Sequence, residues 1–145
     1  MAEPRDGRDL GAPLDAHQLD EQALGTYLTA HIPGFSGEIR VQQFWGGQSN
    51  PTYLIEAQSG SYVLRKKPPG KLLPSAHAVD REYRVLSALQ DTAVPVPVTH
   101  VLCEDDSVIG QMFYVMDYVP GRVIADSDLP DCSPAGRTAM YSSII

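Results

Sequence analysis

The chain has 145 residues, 43% hydrophobic and 20% charged, with a formal net charge of -7. That is enough material for one folded core, and the acidity argues against a general nucleic-acid binder or a protein held on anionic membranes. No run approaches the roughly 18 apolar residues of a membrane helix, and the charged start from Met1 to Asp9 lacks the apolar centre of a signal peptide. The expected location is therefore the cytoplasm, where Cys103 and Cys132, without Cys-x-x-Cys spacing, fit reduced thiols.

In chain order, residues 1–14 are rich in glycine, proline and charge and read as a flexible tail. Asp15 with Gln18 reads as a capping box. It opens a helix with Leu19, Ala23, Leu24, Tyr27 and Leu28 at helical spacing, closing before Pro33-Gly34. Strands are expected over 38–45, 52–58 and 61–66, the first two separated by Gly46-Gly47 and the last two by a hairpin at Ser59-Gly60. The segment Pro68–Pro74 excludes regular structure, and Ser75 caps a helix predicted to run to Gln90. Two further strands follow over 97–103 and 111–118, the first placed at a sheet edge by Pro95 and Pro97. After a linker beginning at Pro120-Gly121, Ser133-Pro134 starts a final helix. Three short consecutive strands joined by tight turns must be antiparallel neighbours. The fold class is thus α+β, with a five-stranded, mostly antiparallel sheet, one helix packed across it, and the N-terminal helix as an accessory.

Chemistry concentrates around Gly46-Gly-Gln-Ser-Asn-Pro51 and Arg65-Lys66-Lys67. Glycines allow a tight turn and close backbone approach, and backbone N–H groups in such a turn cradle phosphate. Four of the eleven basic residues (Arg65, Lys66, Lys67, Lys71) fall within seven positions, so an anion site survives in an acidic protein. The pattern suggests a nucleotide-binding hairpin.

On the following helix, Val79, Leu86 and Leu89 share a face with Glu82. A carboxylate on a buried face needs a basic partner. Strand alternation puts Val63 and Arg65 on one side and Tyr62, Leu64 and Lys66 on the other, which makes Arg65 the candidate. Two arrangements are compatible with the pattern: a Glu82–Arg65 pair, or Glu82 tilted to the helix edge near Arg81 and Arg84.

Other motifs are weaker. Gly47-Gln-Ser49 lacks the second glycine and following helix of a hydrolase elbow. Asp126–Asp131 lacks the glycine and terminal Glu of a calcium loop, and the His and Cys residues show no zinc spacing. Trp45, Tyr53, Phe113 and Tyr114 read as core or pocket walls. No metal site is expected in this chain.

The stretches GGQSNPTYLI, YVLRKKPPGKLLPSAHAVDREYRVL and CEDDSVIGQMFYVMDYVPGR resemble the aminoglycoside-phosphotransferase-like branch of the protein-kinase-like fold, in the form associated with acyl-CoA dehydrogenases. The resemblance covers about residues 36–145. It implies a flexible tail and accessory helix over 1–36, a nucleotide-binding N-lobe over 37–120, and a linker with the first, truncated helix of the C-lobe over 121–145. By the same resemblance, Gly46, Gly47, Ser49 and Asn50 would cover the ATP phosphates. Arg65 would replace the usual phosphate-binding lysine, with Glu82 as its partner. Val63 would line the nucleotide site, and Met116, Asp117, Tyr118 and Val119 would form the hinge that meets adenine.

Implied partners are ATP and a small-molecule hydroxyl acceptor of the hydroxyacyl-CoA or hydroxy-acid kind, with no nucleic acid and no membrane. Mg²⁺ ligands and the catalytic group would sit in a second lobe, in His-Gly-Asp and Asp-x-Asp motifs. None of His17, His31, His77 or His100 begins such a motif, and Asp126-Ser-Asp128 lacks a catalytic loop before it. The expectation is an N-terminal, catalytically incomplete part of a phosphotransferase; the other reading is a non-catalytic nucleotide-binding or interaction module.

Overall fold

Six strands build the sheet in the computed structural model: β1 (Leu10–Gly11), β2 (Arg40–Phe44), β3 (Thr52–Ala57), β4 (Gly60–Lys66), β5 (Thr99–Cys103) and β6 (Phe113–Asp117). Their order is β1-β2-β3-β4-β6-β5, with every neighbouring pair antiparallel. Three helices accompany them, α1 (Glu21–His31), α2 (Val79–Leu89) and α3 (Pro134–Ile144). The structure describes residues 10–45, 50–74, 76, 78–121 and 127–144. The sheet, α1 and α2 lie in one compact unit, Asp9–Val119, and α3 lies in a second.

The sixth strand comes from the stretch expected to be a flexible tail. Leu10 and Gly11 pair with Phe44 and Gln43, satisfying backbone groups on the open edge of β2. Two residues carry no readable periodicity, so the sequence gives no sign of this pairing. A Cβ on Gly11 would lie 2.3 Å from the Trp45 ring, so only glycine lets that indole lie against the edge strand.

The N-terminal helix starts later than predicted. Asp15–His17 forms a single 3-10 turn, and α1 opens at Glu21 under Asp20, whose carboxylate accepts from the Ala23 N–H at 3.0 Å. Long-range bonds account for the interruption. The Leu14 N–H donates to Gln43 Oε1 at 3.0 Å, and the buried Tyr53 hydroxyl donates to the His17 carbonyl at 2.6 Å. Both tie the turn to the sheet before a helix can propagate.

Alternation gives the sheet two distinct faces. One carries Val41, Tyr53, Ile55, Tyr62, Leu64, Phe113 and Val115, and Leu24 and Leu28 of α1 close over it as part of one core. The helix expected as an accessory therefore supplies two side chains with no exposed surface. An apolar sheet face of this size needs a cover, and α1 provides it. The opposite face holds Phe44, Leu54 and Val63, with Leu10, Met116 and Tyr118 packed beside them, and it also carries α2.

Helix α2 begins at Val79 rather than Ser75, which lies outside the described residues. Ala78 has ψ 75, outside the helical range, and the Arg81 and Glu82 N–H groups are the first to bond back to its carbonyl. In the second unit, the Ser133 hydroxyl accepts from the Gly136 N–H at 3.1 Å, the predicted cap of α3.

Lys66 sits on the α1 side of the sheet, 2% exposed, with Nζ 2.8 Å from Gln111 Oε1. Burial lowers its pKa from the ordinary 10.5. The unfolded chain then holds this proton more tightly than the folded one, so stability rises with pH from the lowered value up to the ordinary one. The near-isosteric Lys66→Met is expected to keep or raise stability by about 1 kcal/mol and to flatten that slope. Urea unfolding at several pH values from about 8 to 10 would measure it; a loss above about 2 kcal/mol would show that the Gln111 bond outweighs desolvation.

Candidate nucleotide site

The two arrangements open for Glu82 are resolved by geometry. Arg65 points from β4 toward α2, with Nε 2.9 Å from Glu82 Oε2 and Nη2 donating to Oε1 at 3.2 Å. Side-chain exposures of 20% for Arg65 and 35% for Glu82 make this a half-buried pair. Arg84 turns instead to Asp80 at 3.7 Å and Glu104 at 4.0 Å, exposed contacts that contribute little. Lys66, one residue on, faces the other side of the sheet.

Two neutral donors complete the carboxylate's surroundings. Asn50 Nδ2 donates to Oε1 at 3.2 Å and the Tyr114 hydroxyl donates to Oε2 at 2.9 Å. Asn50 lies two residues before β3, so its amide links the lead into that strand to α2. Gly46, Gly47 and Ser49 lie outside the described residues. Tyr114 stands directly across from Arg65 in the β4–β6 register. The sequence reads Tyr114 only as a core or pocket wall; strand alternation sets it on the same face as Met116.

A cleft of about 880 Å³ opens between α2 and this face, lined by Asn50, Arg65, Glu82, Val85, Tyr114 and Met116 among others. Cross-strand pairing sets Leu54, Val63 and Met116 in one row and Thr52, Arg65 and Tyr114 in the next. Two residues of strand separate the rows, about 7 Å. An apolar platform thus adjoins the paired cation: its Met116 lines the cleft, whereas Leu54 and Val63, the latter expected at the nucleotide site, are buried and lie outside the cleft lining. Leu54, Phe44 and Leu10 were not singled out from the sequence as part of this surface; for Leu54 and Phe44, strand alternation held the signal.

The predicted hinge divides by face. The Met116 side chain joins the platform, whereas the Asp117 carboxylate lies on the α1 side, where His100 Nε2 meets Oδ1 at 2.5 Å. The Asp117 N–H bonds to the Val98 carbonyl at 2.8 Å and the Tyr118 N–H to the Ser61 carbonyl at 3.2 Å, so both are used within the sheet. Val119 lies beyond β6 and is largely exposed. Among the described residues, no helix is long and apolar enough to cross a membrane, and no group of three or more His, Cys, Asp or Glu side chains could hold a metal ion.

An antiparallel sheet with a strand arginine paired to a helix carboxylate defines the smaller lobe of a kinase-like phosphotransferase. The comparisons agree. A crystal structure from Ralstonia eutropha JMP134, provisionally named an aminoglycoside phosphotransferase, matches with a TM-score of 0.71 and 45% identity over 86% of this chain and 35% of its own. Acyl-CoA dehydrogenase family member 11 of Rattus norvegicus is 46% identical over 142 residues, covering 95% of this chain and 18% of the relative. IBR3 of Arabidopsis thaliana, provisionally named an acyl-CoA dehydrogenase, is 52% identical over 134 residues, covering 87% of this chain and 16% of the relative. The chain spans less than a fifth of the length of these two relatives. It belongs to the phosphotransferase enzyme family, whose model matches residues 40–140.

Proposed function

We propose that this chain is the ATP-binding part of a phosphotransferase that acts on a small-molecule hydroxyl in the cytoplasm. The observation that carries the reading is the Arg65 guanidinium, held by Glu82 in a cleft to which Met116, one row away, and Val85 contribute apolar side chains. Apolar side chains suit the faces of a purine, and a guanidinium suits a phosphate chain leading away from it. The cleft is large enough to receive a nucleotide.

With the Asp117 and Tyr118 N–H groups bonded inside the sheet, Val119 is the hinge residue whose N–H would meet the adenine edge. Gly46, Gly47 and Ser49 would close over the phosphates. Arg65 orients and neutralises a phosphate oxygen, a static role that lowers the cost of charge build-up during transfer. The carboxylate donors that Mg²⁺ requires are not grouped among the described residues, so no step is assigned to the metal here. The names of the acyl-CoA dehydrogenase relatives favour a hydroxyacyl-CoA or hydroxy acid over an aminoglycoside as acceptor.

Titrating ATP into methyl-labelled protein tests the reading. Shifts at Leu54, Val63 and Met116 are expected with a Kd near 1 mM, about 4 kcal/mol, without phosphoryl transfer to an added hydroxy acid by these 145 residues alone. No shift up to about 10 mM ATP, some ten times that Kd, would remove the nucleotide assignment. Binding without transfer by any longer protein carrying this chain would favour the non-catalytic module.

A further inference from the structure

Each oxygen of the Glu82 carboxylate takes one contact from Arg65 and one from a neutral donor, Asn50 on Oε1 and Tyr114 on Oε2. The helix that carries Glu82 is tied to the β5 segment at its C-terminal end, through the Ser87–Thr99 hydroxyl pair at 2.8 Å and Gln90 Nε2 donating to the Pro97 carbonyl at 2.8 Å. Val79 is its one fully buried residue, and its N-cap Ala78 offers no side-chain cap. Glu82 stands in the first turn of this helix, so the placement of its carboxylate depends on the Asn50, Arg65 and Tyr114 contacts.

Tyr114 is fastened differently. It lies on β6 between two hydrogen-bonded strands, 2% exposed, with its ring 6.0 Å from that of Tyr83. We propose that Tyr114 is a positioning residue for the Arg65 guanidinium, acting through Glu82. The sheet presents Arg65 and Tyr114 side by side, and both converge on one carboxylate oxygen, so the tyrosine sets where that oxygen stands. Burial first, and then the Glu82 charge, hold the Tyr114 hydroxyl well above its ordinary pKa. It therefore remains protonated, and a donor, at neutral pH. The functional consequence rests on the nucleotide reading above: a correctly aimed Arg65 meets phosphate, a misaimed one does not.

Tyr114→Phe removes the hydroxyl and keeps the ring. The Arg65 Nε–H signal is followed by NMR in the ligand-free chain, and affinities for ATP and for adenosine are measured by shift titration. The wild-type signal should be protected from solvent exchange. In the variant it should exchange faster, ATP should bind about fivefold more weakly, and adenosine should bind unchanged. A disturbed sheet would weaken both ligands equally, because Met116 lies two residues from Tyr114, and that result would overturn the proposal. So would an unchanged Arg65 signal in the variant, or a wild-type signal that exchanges as fast as that of an exposed arginine. If the Arg65 signal responds but wild-type protein binds no ATP, the positioning role stands and the nucleotide reading falls.

Discussion

Glu82→Ala is expected to eliminate measurable ATP binding by this chain and to lower phosphoryl transfer by orders of magnitude in a longer phosphotransferase that contains it. The substitution removes one carboxylate shared by three side chains on three other segments, Asn50, Arg65 and Tyr114. Without this carboxylate the guanidinium is drawn to water or to another acceptor, and its orientation toward phosphate is lost. Breaking a fully buried pair costs roughly 3–5 kcal/mol; discounted for the solvent that reaches this one, about 2 kcal/mol is expected. For the Asp9–Val119 unit that lowers the melting temperature by about 8 °C. Glu82→Gln, which keeps the shape and one acceptor, should fall between. Thermal unfolding and ATP titration measure both effects; an alanine variant with unchanged Tm and ATP affinity would show that the junction does not hold Arg65.

The largest loss of stability is expected at the opposite face. Leu28→Ala removes a side chain with no exposed surface from the core shared by α1 and the sheet. Such deletions cost about 2–5 kcal/mol through lost burial and the remaining cavity, a large share of the total stability of a small unit. Tm should fall by at least about 10 °C, and nucleotide affinity of the folded fraction should hold, because no α1 residue lines the cleft. A loss below about 1 kcal/mol in a urea series would return α1 to the accessory role its sequence suggested.

The Arg65–Glu82 contact was legible in the chain because it depends on short-range periodicity. Two-residue alternation put Arg65 and Val63 on one face and Lys66 on the other, and helical spacing put Glu82 on the face with Val79 and Leu86. Those patterns arise from backbone geometry alone, and together they bring Arg65 and Glu82 within reach. The antiparallel order of β2, β3 and β4 was equally readable, since short turns leave no other pairing.

What only the tertiary structure decided are contacts between segments far apart in the chain. The pairing of Leu10 with Phe44, the bonds of Gln43 and Tyr53 that hold the turn ahead of α1, and the burial of Leu24 and Leu28 all depend on which surface the sheet leaves open. The Glu82 junction is of the same kind. Asn50 and Tyr114 each lie 32 residues from Glu82, and no local pattern encodes a meeting at that separation. Alternation and helical spacing determined which faces carry the charge; the folding of the sheet around α2 determined which donors meet it.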